Sequence, residues 1–289
     1  MASLDRELTA GPPPTRAGRW GEYTQLSRQL KQAGLLERRR GWYAARIGLN
    51  LALVAAGWAA FAVVGDSWWQ LVTAAYLAVV FTQLAFVGHD AGHRQISRSR
   101  PANDRVGLLH ANLLIGISFG WWVPKHNAHH TNPNHEDLDP DISIAALAFT
   151  DGQASSRHGL VRLVARYQAF LFFPLLLLEA AHLHLASAKA VLQGSGRANT
   201  VEGLLLVAHV AGYLTALVLV LSPAQAVAFV LVHQGLFGLY LGCSFAPNHK
   251  GMPTLTDADQ VEASLFGSYA QAIRHLHAVG APLRLAVAE

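Results

Sequence analysis

The sequence predicts an all-α integral membrane protein with four transmembrane helices arranged as two hairpins, interfacial helices beside them and a histidine-rich cap on the cytoplasmic side. Three observations carry this expectation. The 289-residue chain is 52% hydrophobic with only 14% charged residues, against about 25% charged in ordinary soluble domains. Its mean hydropathy is +0.26; a soluble domain of this length could bury a large core but would need a more polar surface. Apolar runs long enough to cross a bilayer come in pairs joined by short turns, and histidines cluster where two apolar segments end.

Residues 1–20 are small, polar and Pro-containing and read as a disordered leader, with no apolar signal-peptide core after Met1. Residues 21–40 read as an amphipathic helix with Tyr23, Leu26, Leu30 and Leu35 on one side. It runs into Glu37-Arg38-Arg39-Arg40, a basic patch suited to anionic lipid heads or to solvent. Tyr43–Val64 is the first span: at 1.5 Å per residue it reaches about 33 Å, enough for a hydrocarbon core of about 30 Å. Arg46 and Asn50 lie near its start, where a long side chain can snorkel to the interface.

The connector Gly65-Asp66-Ser67 has no Lys or Arg, and residues 68–88 make a second span that opens on Trp68-Trp69 as an interfacial anchor. Arg94, Arg98, Arg100 and Arg105 follow it. Basic residues thus crowd onto one end of the hairpin, which assigns that end to the cytoplasm. The same crowding accounts for the net charge of +4; no nucleic-acid motif accompanies it, so nucleic acid is not an expected partner.

Residues 106–120 are apolar but short, which suits a re-entrant or surface helix. The run around Phe170–Leu178 is expected to lie along the interface as part of a helix over 167–186. Residues 201–220 and 224–246 form the second hairpin around Leu221-Ser222-Pro223. The 21–260 stretch is then one membrane domain, and 261–289 an Ala-rich tail of a different character.

Chemistry concentrates in His89-Asp-Ala-Gly-His93 and His126-Asn-Ala-His-His130. On a helix, positions i and i+3 or i+4 share a face, so His89 with His93, and His126 with His129 and His130, project together. Imidazole suits zinc, copper, iron or nickel, and the scarcity of thiolates and carboxylates argues against calcium, magnesium and iron–sulfur clusters. Cys243 is the single cysteine, which excludes an internal disulfide. The second hairpin returns Asn248-His249-Lys250 to the same end, making His249 a sixth candidate ligand. Turn and capping roles are the first reading of Asn132-Pro133-Asn134 and Asp139-Pro140-Asp141. The sharper alternative is hydrogen bonding to ligand imidazoles by Asp90 or one of these loop carboxylates, Asp139 included; Asp90, Asp137, Asp141 and Asn248 are the candidates singled out. His135 is a weak candidate ligand; Glu179-x-x-His182 spells a di-iron bundle motif only once, and His209 and His233 lie inside spans in cavity-lining or packing roles.

The two histidine boxes, the Asn-Pro-Asn and Asp-Pro-Asp-Ile that follow, and Ser244-Phe-Ala-Pro-Asn-His-Lys-Gly-Met-Pro253 resemble the bacterial acyl-CoA or acyl-lipid branch of the membrane fatty acid desaturases. The resemblance covers roughly residues 21–260. It implies two non-haem iron ions held mainly by histidines, which with O2 remove two hydrogens from adjacent methylenes of a fatty acyl lipid or acyl-CoA. It also implies an external ferredoxin-type or flavoprotein electron donor and a bacterial inner-membrane location, with the boxes and both termini cytoplasmic. By the resemblance His89, His93, His126, His129, His130 and His249 are the metal ligands. Members of the family carry a third box, His-x-x-His-His or Gln-x-x-His-His. Here the sequence runs Met252 to Gln260 and then holds only His275-Leu-His277. The alternatives are therefore a lipid, alkane or carotenoid hydroxylase of the same superfamily, and a truncated, catalytically incomplete homologue.

Overall fold

The computed structural model describes residues 16–246 and 254–256, and those residues are helical throughout apart from connectors and one isolated parallel β-bridge, His135 to Leu255. Helix α1 (Arg16–Gln32) stands in a compact unit separate from the membrane body, which spans Arg39–Ala258. It starts inside the predicted leader and stops short of Leu35, which is exposed. The stop is Gly34 at φ +71°, a left-handed residue closing the C-terminus, with the Leu35 amide donating back to the Leu30 carbonyl.

Among the described residues of the membrane body, four helices are long and apolar enough to cross a bilayer: α2 (Arg40–Val64), α3 (Gln70–Gly92), α10 (Gly196–Val220) and α11 (Pro223–Phe245). The expected spans are present, each with shifted ends. One shift bears on the site: α3 continues past residue 88 to Gly92, so the first histidine cluster lies on its last turn rather than in the water beyond it. The Ser222 amide donates to Asp66 Oδ1 at 2.8 Å, joining the α2–α3 and α10–α11 connectors. Both turns therefore lie at one end of the body. The start of α10 shares the opposite end with the histidine-bearing end of α3, so whatever lies between them crosses an even number of times or not at all.

Helix α3 is the central stave, with α2 along one side and α11 along another. In lipid, helix association rests on van der Waals packing and interhelical hydrogen bonds rather than on expulsion of water. Phe61, Phe81, Phe229 and Phe237 are fully buried at this junction. Their rings meet edge to face, Phe61 to Phe229 at 5.2 Å and Phe81 to Phe237 at 5.8 Å between centroids.

Between the two pairs of spans the chain never runs straight. Helix α4 (Arg100–Gly107) passes into a π-helical segment, Leu108–Leu114, and the chain then turns through 114° into α5 (Phe119–Thr131). The expected re-entrant segment is thus a bent pair, not a single 15-residue helix. Helices α6 (Asp151–Ser156) and α7 (Gly159–Arg166) come first, and α8 (Gln168–Leu176) and α9 (Glu179–Gln193) then replace the one helix expected over 167–186. Pro174 in α8 has no amide to donate back to Phe170, and the helix ends within three residues. Gly238 of α11 lets the α8–α9 break come close: a Cβ there would lie 2.7 Å from the Leu176 carbonyl oxygen and 2.8 Å from the Ala180 nitrogen.

Candidate metal centre

Helix α3 presents His89 and His93 on one face, and α5 presents His126 and His130. The two faces meet. His126 Nε2 lies 2.9 Å from His93 Nε2, 3.1 Å from His89 Nε2 and 3.0 Å from His130 Nε2. A ring nitrogen carries at most one hydrogen, so one nitrogen touching three others is the pattern of donors converging on a common cation. Spacings near 3 Å also match neighbouring ligands on one transition metal with metal–nitrogen bonds of about 2.1 Å. The donor set fits iron and the other imidazole-binding metals.

The electrostatics keep these rings ready for a metal. Burial, then repulsion from His89 and His130, lowers His93 to about 4. Burial, then the neighbouring imidazoles, lowers His126 to about 3. His130 is lowered for the same reasons, burial first and then His129 and His89. At neutral pH the His93, His126 and His130 rings are uncharged and their lone pairs are available for ligation. His130 is exposed while the other three are half-buried, which leaves one flank of the cluster open.

His129, the fifth box histidine, turns away from this group into the loop that follows. Its Nδ1 lies 2.9 and 3.0 Å from the two oxygens of Asp139. Asp139 is fully buried and also accepts from the Asn134 and Asp141 amides, each at 2.8 Å. Burial alone raises its carboxyl; the hydrogen bonds from His129 and from the two amides outweigh that and hold it below the usual carboxylate range. His129, Asp139 and Asp141 form a second group of metal-ligating type, and Lys125 pairs with Asp141 at its edge.

Asp90 Oδ1 lies 3.4 Å from His89 Nδ1, and the Tyr43 hydroxyl donates to Asp90 Oδ2 at 3.0 Å. Asp137 is exposed; only its backbone amide turns inward, toward His135 Nδ1, and the inward acid is Asp139. Sequence reading counts Asp139 among the loop carboxylates without singling it out, because four acids crowd residues 136–141 and only the fold shows which turns inward. The Trp122 indole stacks on the His126 ring, with centroids 4.2 Å apart.

The other histidines have local duties. His135 is buried and accepts the Asp137 and Leu138 amides. His182 pairs with Glu179 at 3.6 Å, half-exposed and outside the four-histidine group. His184, His209 and His233 bond to Gly116, Leu113 and Tyr213. Asn248, His249, His275 and His277 lie outside the described residues.

Residues 66–274 match the family model for fatty acid desaturases, well over half of the chain. The chain belongs to the fatty acid desaturase family. This desaturase-family protein is 32% identical over 170 residues to a Delta(8)-fatty-acid desaturase of Arabidopsis thaliana, covering 54% of this chain and 37% of the relative. It is 31% identical over 140 residues to a Delta 8-(E)-sphingolipid desaturase of Emericella nidulans, 44% of this chain and 26% of that one. A Delta(6)-fatty-acid desaturase of Caenorhabditis elegans is 36% identical over 114 residues, 37% of this chain and 26% of the relative. The chain spans less than two fifths of the length of these relatives.

Proposed function

We propose that this protein is an O2-dependent desaturase of lipid acyl chains that holds two iron ions. The observation that carries the reading is the convergence of four imidazole Nε2 atoms from two helices. Iron bound there supplies, with O2, an oxidant able to take hydrogen from unactivated methylenes, which amino-acid side chains cannot do. The balanced reaction consumes one O2, two electrons and two protons, and turns a –CH2–CH2– unit into –CH=CH– with two waters released. The electrons come from a separate ferredoxin-type or flavoprotein donor.

His89, His93, His126 and His130 hold one metal position. His129, oriented through Nδ1 by Asp139, and His249 would hold the second. Support for His249 comes from the described residues on either side of its segment. The Phe245 ring lies 5.6 Å from the His89 ring, and Leu255 bridges to His135 beyond the second box. Asp90 and Tyr43 orient His89, and Trp122 covers one face of His126.

The substrate class follows the relatives, which are named as fatty-acid and sphingolipid desaturases. An acyl chain can reach the site from the bilayer while its polar end stays at the basic face of Arg94, Arg98, Arg100 and Arg105, which we place on the cytoplasmic side. The bacterial inner-membrane location rests on the motif resemblance alone. The test is iron per purified chain together with the acyl profile of expressing cells. Iron with new double bonds supports the reading; products that gain one oxygen instead of losing two hydrogens identify a hydroxylase. A protein without iron and an unchanged profile overturn it.

A further inference from the structure

Helix α5 carries the whole second histidine box, yet it is short and buries only Phe119 and His129. Apolar packing of so little surface cannot fix a 13-residue helix on its own. Its N-terminus is held instead by side chains. The first four amides of an α-helix have no partner within the helix, and here each finds one. Ser118 N–H donates to Ser187 Oγ of α9 at 2.9 Å, Phe119 N–H to Asn112 Oδ1 of the π-segment at 3.0 Å, Gly120 N–H to Glu202 Oε2 of α10 at 3.0 Å, and Trp121 N–H to Ser118 Oγ at 3.1 Å. The regular helical ladder then starts with Trp122 N–H to the Ser118 carbonyl.

Glu202 is the hub of this cradle. Besides the Gly120 amide, its Oε2 accepts from Ser118 Oγ at 2.7 Å and from Asn112 Nδ2 at 3.1 Å, so it also orients the two side chains that cap the neighbouring amides. A carboxylate at a helix N-terminus is further favoured by the helix dipole. The other partner is fitted to it: a Cβ on Gly120 would lie 2.0 Å from Glu202 Oε1. An acid near the start of a membrane-crossing helix is costly to place there unless its hydrogen bonds are met, and these are met by one helix end. From Gly120 to His126 is six residues, about 9 Å along the helix axis. A shift or tilt at the N-terminus of α5 is therefore delivered to His126, His129 and His130.

We propose that Glu202 is a positioning residue for the metal centre, setting the second histidine box against the first by gripping the N-terminus of α5. The inference rests on the metal-binding reading above and names a residue outside both boxes. Glu202 touches neither metal nor substrate; it acts through α5.

The experiment uses the full chain in detergent and compares wild type with Glu202→Ala and Glu202→Gln. Two quantities are read: Co2+ affinity from its visible absorption bands, and amide hydrogen exchange over residues 118–131. Glu202→Ala is expected to weaken Co2+ binding about tenfold, the scale of losing a group that orients metal ligands, to shift the absorption bands and to speed exchange at the start of α5. Glu202→Gln keeps a carbonyl oxygen for Gly120 N–H and Ser118 O–H, and recovers most of both. Faster exchange with wild-type Co2+ affinity and bands would reduce Glu202 to a cap and overturn the proposal, as would no change in either quantity. Should Glu202→Ala fail to fold, Gly120→Ala, which crowds the same carboxylate, is read by the same two criteria. A wild type that takes up no metal would sink the metal reading itself. Exchange at α5 then still decides whether Glu202 holds the helix.

Discussion

His129 Nδ1 lies 2.9 and 3.0 Å from the two carboxylate oxygens of Asp139, and both residues are buried. This pairing fixes which ring nitrogen of His129 bonds to the carboxylate, and so sets the tautomer and the orientation of the ring. It also ties the helix carrying the second box to the loop after it, because Asp139 accepts the Asn134 and Asp141 amides as well.

Asp139→Ala strands an imidazole N–H and two amides in a buried site. The expected cost is about 3 kcal/mol or more of stability, each buried donor left without a partner costing about 1–3 kcal/mol. Asp137→Ala, at an exposed position of the same loop, should change stability by no more than about 0.5 kcal/mol. Denaturant unfolding of the two variants checks both; similar values would mean that the loop does not depend on the inward acid.

That contrast shows where sequence reading stops. The spans are legible because an apolar run of membrane length has little use outside a bilayer, and the box histidines because helical spacing puts them on one face. The continuation of α3 through His89 is less so, since hydropathy ends at the apolar run while backbone hydrogen bonding does not. The bend after the π-segment is set by tertiary contacts. Glu202 is illegible because the amide it accepts, that of Gly120, comes from a distant part of the chain; Asp139 is hard to single out because the turn of its own loop decides which of the neighbouring acids the Asn134 and Asp141 amides reach.

His126 is the centre of the four-histidine group, in contact with the Nε2 atoms of the other three. His126→Ala is expected to abolish iron at that position and to lower desaturase activity at least a hundredfold, on the scale of losing a metal ligand rather than an orienting group. His182→Ala removes a half-exposed imidazole paired with Glu179 and should leave iron content and activity unchanged. Elemental analysis of the two purified variants, with product analysis, tests the contrast. Equal iron in both would show that the convergence does not bind metal.

Metal removal should be visible as stability. A ligand that binds only the folded state stabilises it by about 2.7 kcal/mol when present at a hundred times its dissociation constant. Chelation of the iron-loaded protein is expected to lower its unfolding temperature, and added Fe2+ to restore it. In His126→Ala the chelator-induced shift should shrink, because one binding position has gone. A full shift in that variant would place the stabilising metal elsewhere.

A close backbone approach in the body gives a test of the fold that is independent of metal. At Gly238 an added Cβ meets the Leu176 carbonyl oxygen and the Ala180 nitrogen, main-chain atoms that cannot rotate aside. Gly238→Ala must push α11 from the α8–α9 break, at about 1–3 kcal/mol for overpacking a close contact. Gly48→Ala of α2, where nothing lies within 4 Å of the new Cβ, should be neutral or slightly stabilising. Thermal unfolding in detergent separates the two. Because α11 also brings Phe245 to His89, Gly238→Ala should in addition weaken iron retention, whereas Gly48→Ala should not. Loss of stability without loss of iron would show that α11 braces the bundle but does not set the site.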